Sequence, residues 1–147
     1  MDWLRMENTS TNNRIVSLRA ADSEKITINL GFVDLGQIEL LVQERFYSNR
    51  TDFIRTAIRN QIARHADTVE KVVTRKSVEL GVRQITQAEL MAARAAGEML
   101  DIRVLGLAVI AADVSPDLAG ETISALSVLG ALQASDAVKA ALGNRIG

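Results

Sequence analysis
The chain contains no cysteine, one histidine, one proline and only 3% aromatic residues. Without cysteine there is neither a disulfide framework nor a thiolate metal site, which fits a reducing compartment. A single histidine, His65, is too few for a zinc or nickel site of the usual kind, so neither metal nor cofactor is expected. The scarcity of aromatics means that any core is built from aliphatic side chains and alanine. No apolar run reaches the roughly 18 residues needed to span a membrane. The N-terminus also lacks a basic-then-apolar signal pattern, so a cytoplasmic location without a membrane partner is expected.

What is present suits a globular protein. The 147 residues are 48% hydrophobic and 24% charged, enough for one ordinary domain or two small ones. The net charge of −1 hides a modest asymmetry. Residues 25–66 carry six basic and four acidic side chains, and residues 67–147 carry eight basic and ten acidic. That balance permits an anionic partner for the first part without requiring one.

Residues 1–22 are polar, without periodicity, and rich in Asn, Ser and Thr over "MENTSTNNR"; they read as a mobile arm. "EKITINL" then alternates, with Ile26, Ile28 and Leu30 on one side and Lys25, Thr27 and Asn29 on the other, as a half-buried strand does. In "GFVDLGQIELLVQERF", Asp34 and Gln37 have capping-box spacing, and Leu35, Ile38, Leu41 and Val42 share a helical face. "SNRTDFIRTAIRNQIARH" opens a second helix, with Ser48 or Asn49 as cap and Asp52 in its first turn. Its stripe is Phe53, Ile54, Ala57, Ile58 and Ile62. Arg55, Arg59 and Arg64 form a solvated face, and His65 reads as an ordinary residue at the helix C-terminus. One strand and two helices cannot close a core alone. The economical solution is a twofold dimer in which the strand pairs antiparallel with its own copy.

At "KITINL", "VDLGQIELLVQE" and "FYSNRTDFIRTAIRNQI" the chain resembles the ribbon-helix-helix family of DNA-binding proteins (the CopG, Arc and MetJ group). The resemblance implies a homodimeric transcriptional regulator with an intertwined ribbon-helix-helix over residues 23–67. Its two-stranded ribbon enters the major groove of double-stranded DNA. It implies base contacts from Lys25, Thr27 and Asn29, phosphate contacts from Ser48, Asn49 and Arg50, and a dimer core of Ile26, Ile28 and Leu30. Those side chains suit the roles: Lys can donate to guanine, Asn can pair bidentately with adenine, and Thr can meet a thymine methyl. One position departs from the family, which usually has glycine where this chain has Arg45. A positive φ there costs a non-glycine residue on the order of 1 kcal/mol.

Residues 68–147 read as a separate C-terminal α/β module, so the whole chain is expected to be α+β. Leu80-Gly81, Leu105-Gly106 and Leu129-Gly130 recur 25 and 24 positions apart. Each lies in a strand-like run ("SVELGVRQI", "DIRVLGLAVI", "ALSVLGALQ"). Each run is followed by a helix-start signal: Thr86 with Glu89, Ser115-Pro116, and Ser135-Asp136. The spacing predicts three strand-turn-helix, solenoid-like repeats; a plain α/β or α+β module with accidental spacing is the alternative. No phosphate loop, nucleophile-base pair or metal cluster is visible, so the chain is not expected to be an enzyme. Oligomerisation or partner docking through "GETISALSVLGALQ" is the expected role of this half. An antitoxin of a toxin-antitoxin pair and a self-assembling structural protein stay open as alternative functions.

Overall fold
The computed structural model describes residues 23–147; the arm expected over residues 1–22 lies outside the described residues. The described chain is α+β, with six α-helices and one three-stranded parallel sheet. In order these are α1 (Phe32–Gln43), α2 (Arg50–Arg64), α3 (Ala66–Lys76), β1 (Glu79–Ile85), α4 (Gln87–Ala95), β2 (Leu100–Ile110), α5 (Pro116–Thr122), β3 (Ile123–Gln133) and α6 (Asp136–Leu142), closed by a 3-10 turn over Gly143–Arg145. Two compact units part between Ile62 and Ala63.

In the second unit the strands lie side by side in chain order, β1-β2-β3, each followed by a helix. Each helix starts where a hydroxyl can take an orphan backbone N–H. Thr86 Oγ1 accepts from Glu89 N at 3.2 Å, Ser115 Oγ from Leu118 N at 3.1 Å, and Ser135 Oγ from Val138 N at 3.2 Å. Pro116 then occupies the first turn of α5, where its missing donor costs nothing. The inward residues of the strands and helices close one aliphatic core: Ile85, Leu90, Val104, Ile123, Leu126, Val138 and Leu142 are all buried. Thr122 is the buried polar residue of this core among the described residues, and its hydroxyl donates to the Leu118 carbonyl at 2.6 Å.

Register explains the recurring dipeptides. Leu80 pairs with Leu105 and Leu105 with Leu129; Gly81 pairs with Gly106 and Gly106 with Gly130. All three glycines have positive φ, at 118°, 136° and 127°. A Cβ on Gly106 would strike the Gly81 carbonyl, and one on Gly130 would strike the Gly106 carbonyl, both well inside van der Waals contact. A Cβ on Gly81 would meet open space. So backbone conformation asks for glycine in all three strands, and close approach of the preceding strand asks for it again in two.

At the end of β1, Arg83 is held by two carboxylates. Its Nη1 donates to Glu89 Oε2 at 2.9 Å, its Nη2 also meets Glu89, and its Nε lies 2.9 Å from Glu79. The hydrogen bond from Arg83 holds the Glu89 carboxyl below the usual carboxylate range against the opposing effect of burial, and the Arg83 guanidinium is correspondingly raised. After the 3-10 turn, the chain returns beside β3: Gly147 N donates to Leu126 O at 2.9 Å and Val128 N to Gly147 O at 3.2 Å.

Three readings of local sequence need correction. The Asp34–Gln37 capping box does not form. Helix α1 begins three residues earlier, after Gly31, which offers no side-chain cap; Asp34 sits in the first turn and Gln37 donates instead to Val33 O at 3.4 Å. Helix α3 was not anticipated. Its signals are Val69, Val72 and Val73 at helical spacing, Asp67 in the first turn and Arg75 and Lys76 in the last, with Ser77 in the left-handed region ending it. His65 therefore lies between two helices, preceding α3 as its N-cap residue with φ −101° and ψ 11°, rather than closing one helix only.

Candidate nucleic-acid interface
Residues 23–30 are extended sequence without assigned secondary structure, and all are exposed. No backbone hydrogen bond joins this stretch to a strand among the described residues. A ladder needs a partner, and among the described residues of one chain none lies alongside. The two rows of the alternation thus stand bare: Lys25, Thr27 and Asn29 on one, and Ile26, Ile28 and Leu30 on the other, the last three 74%, 58% and 41% exposed. The helices behind are equally unfinished. In α1 only Ile38 is buried and in α2 nothing is, while Phe32, Val33, Leu40, Phe46, Ile58 and Ile62 are large exposed apolar side chains. Leaving so many unburied forgoes about 1.5–3 kcal/mol each relative to full burial.

The turn into α2 is better ordered by its own contacts. Arg45 has φ +66°, so the position that carries glycine in the resembled family adopts the left-handed conformation here too. Phe46 N donates to Leu41 O at 3.0 Å. Tyr47 and Phe53 stack edge to face with ring centres 4.9 Å apart. Asn49 Oδ1 accepts from Asp52 N at 2.8 Å, and Asp52 Oδ2 accepts in return from Ser48 N at 3.0 Å. The two bonds are a variant of the capping box in which the returning carboxylate takes the N–H of the residue before the cap. Asn49, not Ser48, is the side-chain cap.

Arg50 opens α2 and lies 3.6 Å from Glu39, both about 60% exposed. An ion pair this open contributes little, so the guanidinium can exchange it for another anion at small cost. Val42, Arg45, Phe46, Tyr47, Ser48 and Asp52 border a shallow hollow of about 330 Å³ at this turn. Ser48, Asn49 and Arg50 are thus brought together at one helix N-terminus, whose dipole favours a negative ligand. The Asp52 carboxylate stands among them, a feature that sequence spacing showed as helix chemistry but not as a competitor for an incoming anion. Arg55, Arg59 and Arg64 are exposed along α2.

Among the described residues no group of His, Asp or Glu could hold a metal ion, and no helix is long and apolar enough to cross a membrane. No curated protein and no solved structure matches the chain. The model of the ribbon-helix-helix transcriptional regulator family matches residues 21–139, which takes in the unpaired stretch, both helices behind it and most of the parallel sheet unit. The chain belongs to the ribbon-helix-helix transcriptional regulator family.

Proposed function
We propose that the protein is a sequence-specific, homodimeric DNA-binding regulator of transcription. In this reading the stretch Lys25–Leu30 pairs antiparallel with its copy to form the ribbon. The observation that carries it is the bare double row at residues 25–30, followed by two helices whose apolar faces lack a cover among the described residues. Pairing with a copy satisfies the strand's backbone and buries Ile26, Ile28 and Leu30. It leaves Lys25, Thr27 and Asn29, twice over, on a ribbon of a width that the major groove admits.

Ser48, Asn49 and Arg50 then hold a phosphate on each side, fixing orientation without reading sequence. The residues after Ala63 supply a folded C-terminal unit, which we read as three stacked solenoid-like repeats serving oligomerisation or partner docking. We place the boundary between the two functions where the compact units part, at Ile62 and Ala63, a few residues before the 67–68 expected from sequence. The proposed site of action is the cytoplasm, and no catalytic step is assigned.

Selection of bound DNA from random sequence, followed by single substitutions, tests the assignment. Lys25→Ala or Asn29→Ala should each lose about 1–3 kcal/mol of discrimination at particular base pairs while leaving the dimer intact. Arg50→Ala should weaken binding to all sequences alike and flatten the salt dependence. Equal base preference in wild type and in the Lys25 and Asn29 variants would remove the base-contact assignment.

A further inference from the structure
The parallel sheet has two faces, and the helices α4, α5 and α6 follow its strands to build a core on one of them. On the other, register aligns Leu80, Leu105 and Leu129 in one row and Val82, Leu107 and Ala131 in the next. Leu80 and Val82 are each 68% exposed and Leu129 73% exposed, while Leu105, Leu107 and Ala131 are half-buried. Outside these rows the face is bordered mainly by polar residues, with Val109 between the two glutamines of the C-terminal row. Asp101 and Arg103 stand at the strand N-terminal end, and Gln84 and Gln133 at the C-terminal end. We propose that this face packs against the same face of a second copy of the chain.

Three observations select that occupant. First, the face carries no free positive patch to draw an anionic partner. Arg103 donates to Asp101 Oδ2 at 3.0 Å and to Lys76 O at 2.9 Å, so its charge is already answered. Second, the face is self-complementary. A twofold axis lying between two such sheets, across the strands, sets the Leu80–Leu105–Leu129 row of each copy on the Val82–Leu107–Ala131 row of the other and the Asp101–Arg103 end over the Gln84–Gln133 end. No charge is buried, and the sheets can align as in a sandwich.

Third, the size is that of an assisted interface. From strand spacing and rise, the face measures about 200 Å² in plan and about twice that as accessible surface. That is half of the roughly 800 Å² per partner that a free-standing interface buries. It suffices where another contact already holds two copies at millimolar effective concentration. The proposal rests on the dimer of the preceding section for that tether.

The absence of cysteine makes the test direct. In the full chain, Leu107→Cys places one thiol near the centre of the face, and Lys139→Cys places one on the exposed side of α6. Under mild oxidation the Leu107→Cys protein should form covalent dimers at least tenfold faster than the Lys139→Cys protein, at a rate independent of protein concentration. Leu129→Glu, at a position largely in solvent within one chain, should keep the native circular dichroism and raise the dimer dissociation constant at least tenfold.

Equal cross-linking at the two sites, or an unchanged dissociation constant for Leu129→Glu, overturns the proposal. So does a Leu107→Cys thiol shielded from maleimide without dimer cross-links, which marks some other cover on the face. Specific DNA binding without the cross-link sinks this proposal alone. The cross-link without specific DNA binding sinks the DNA reading alone.

Discussion

At the scale of single residues, backbone conformation separates positions that look alike in sequence. Gly81 and Gly106 both sit at positive φ in paired strands, but only Gly106 has a carbonyl where a Cβ would go. Gly81→Ala should cost about 1–3 kcal/mol of backbone strain. Gly106→Ala should cost roughly a further 1–3 kcal/mol for overpacking against backbone that cannot yield; denaturant unfolding of both variants checks the difference. At Arg45 the sign reverses. Its φ of +66° is the conformation glycine adopts without penalty, so Arg45→Gly should stabilise the chain by about 1 kcal/mol. If Arg45 also touches a phosphate, the same variant will lose DNA affinity while gaining stability, and the two measurements together separate the roles.

Glu89 gives the pH dependence at this scale. The Arg83 hydrogen bond lowers its folded-state pKa. Its contribution is therefore complete above the unfolded value of about 4.3 and is lost as pH falls through the depressed folded value. Glu89→Gln should cost about 1–2 kcal/mol at neutral pH, since it weakens a charge-assisted pair that is partly open to water. Between pH 5 and 3 its stability should also fall less steeply than that of the wild type, as followed by thermal unfolding.

At the scale of elements, the sequence was legible where a local signal decides the outcome. Thr86, Ser115 and Ser135 each cap the helix that follows them, because a side-chain oxygen reaching an N–H three residues on is a purely local contact. The Leu-Gly dipeptides marked the three strands, because the glycine requirement is written at each strand's own position. Local signals failed where alternatives of similar energy compete. Asp34 looked like a cap, but Gly31 let the helix start a few residues sooner, and an acidic residue is as favourable in the first turn as at the cap.

Helix α3 was missed because its apolar positions are three valines, weak helix formers, in an otherwise charged segment. Contacts across space were not legible at all. The embrace of Arg83 by Glu89 and Glu79, and the retreat of Arg103 toward Asp101 and the Lys76 carbonyl, depend on how strands and helices meet. In the candidate site, the residues gathered at the α2 N-terminus could be read from sequence, whereas the pairing of Arg50 with Glu39 could not.

At the scale of the whole molecule, the two units pose the same physical problem in different degrees. The second has a closed aliphatic core on one face of its sheet and an uncovered apolar surface on the other. The first has almost no core within one chain, with Ile38 its buried apolar residue among those described. With Ile26, Ile28, Phe32, Leu40 and Ile62 exposed among the described residues of one chain, the proposed dimer ties folding to association. Its thermal midpoint should therefore rise with protein concentration, which scanning calorimetry over a hundredfold range of concentration would show; a midpoint independent of concentration would speak against the dimer.

The central claim is that Lys25, Thr27 and Asn29 form the reading surface of a ribbon. The most direct measurement compares wild type with the Lys25, Thr27 and Asn29 triple alanine variant for binding to the DNA that wild type selects from random sequence, by fluorescence anisotropy at fixed salt, with light scattering to confirm that both are dimers. The expected result is a dimeric variant whose preference for that DNA over random sequence has disappeared. A dimeric variant that binds that DNA as tightly and as selectively as wild type would contradict the ribbon assignment outright.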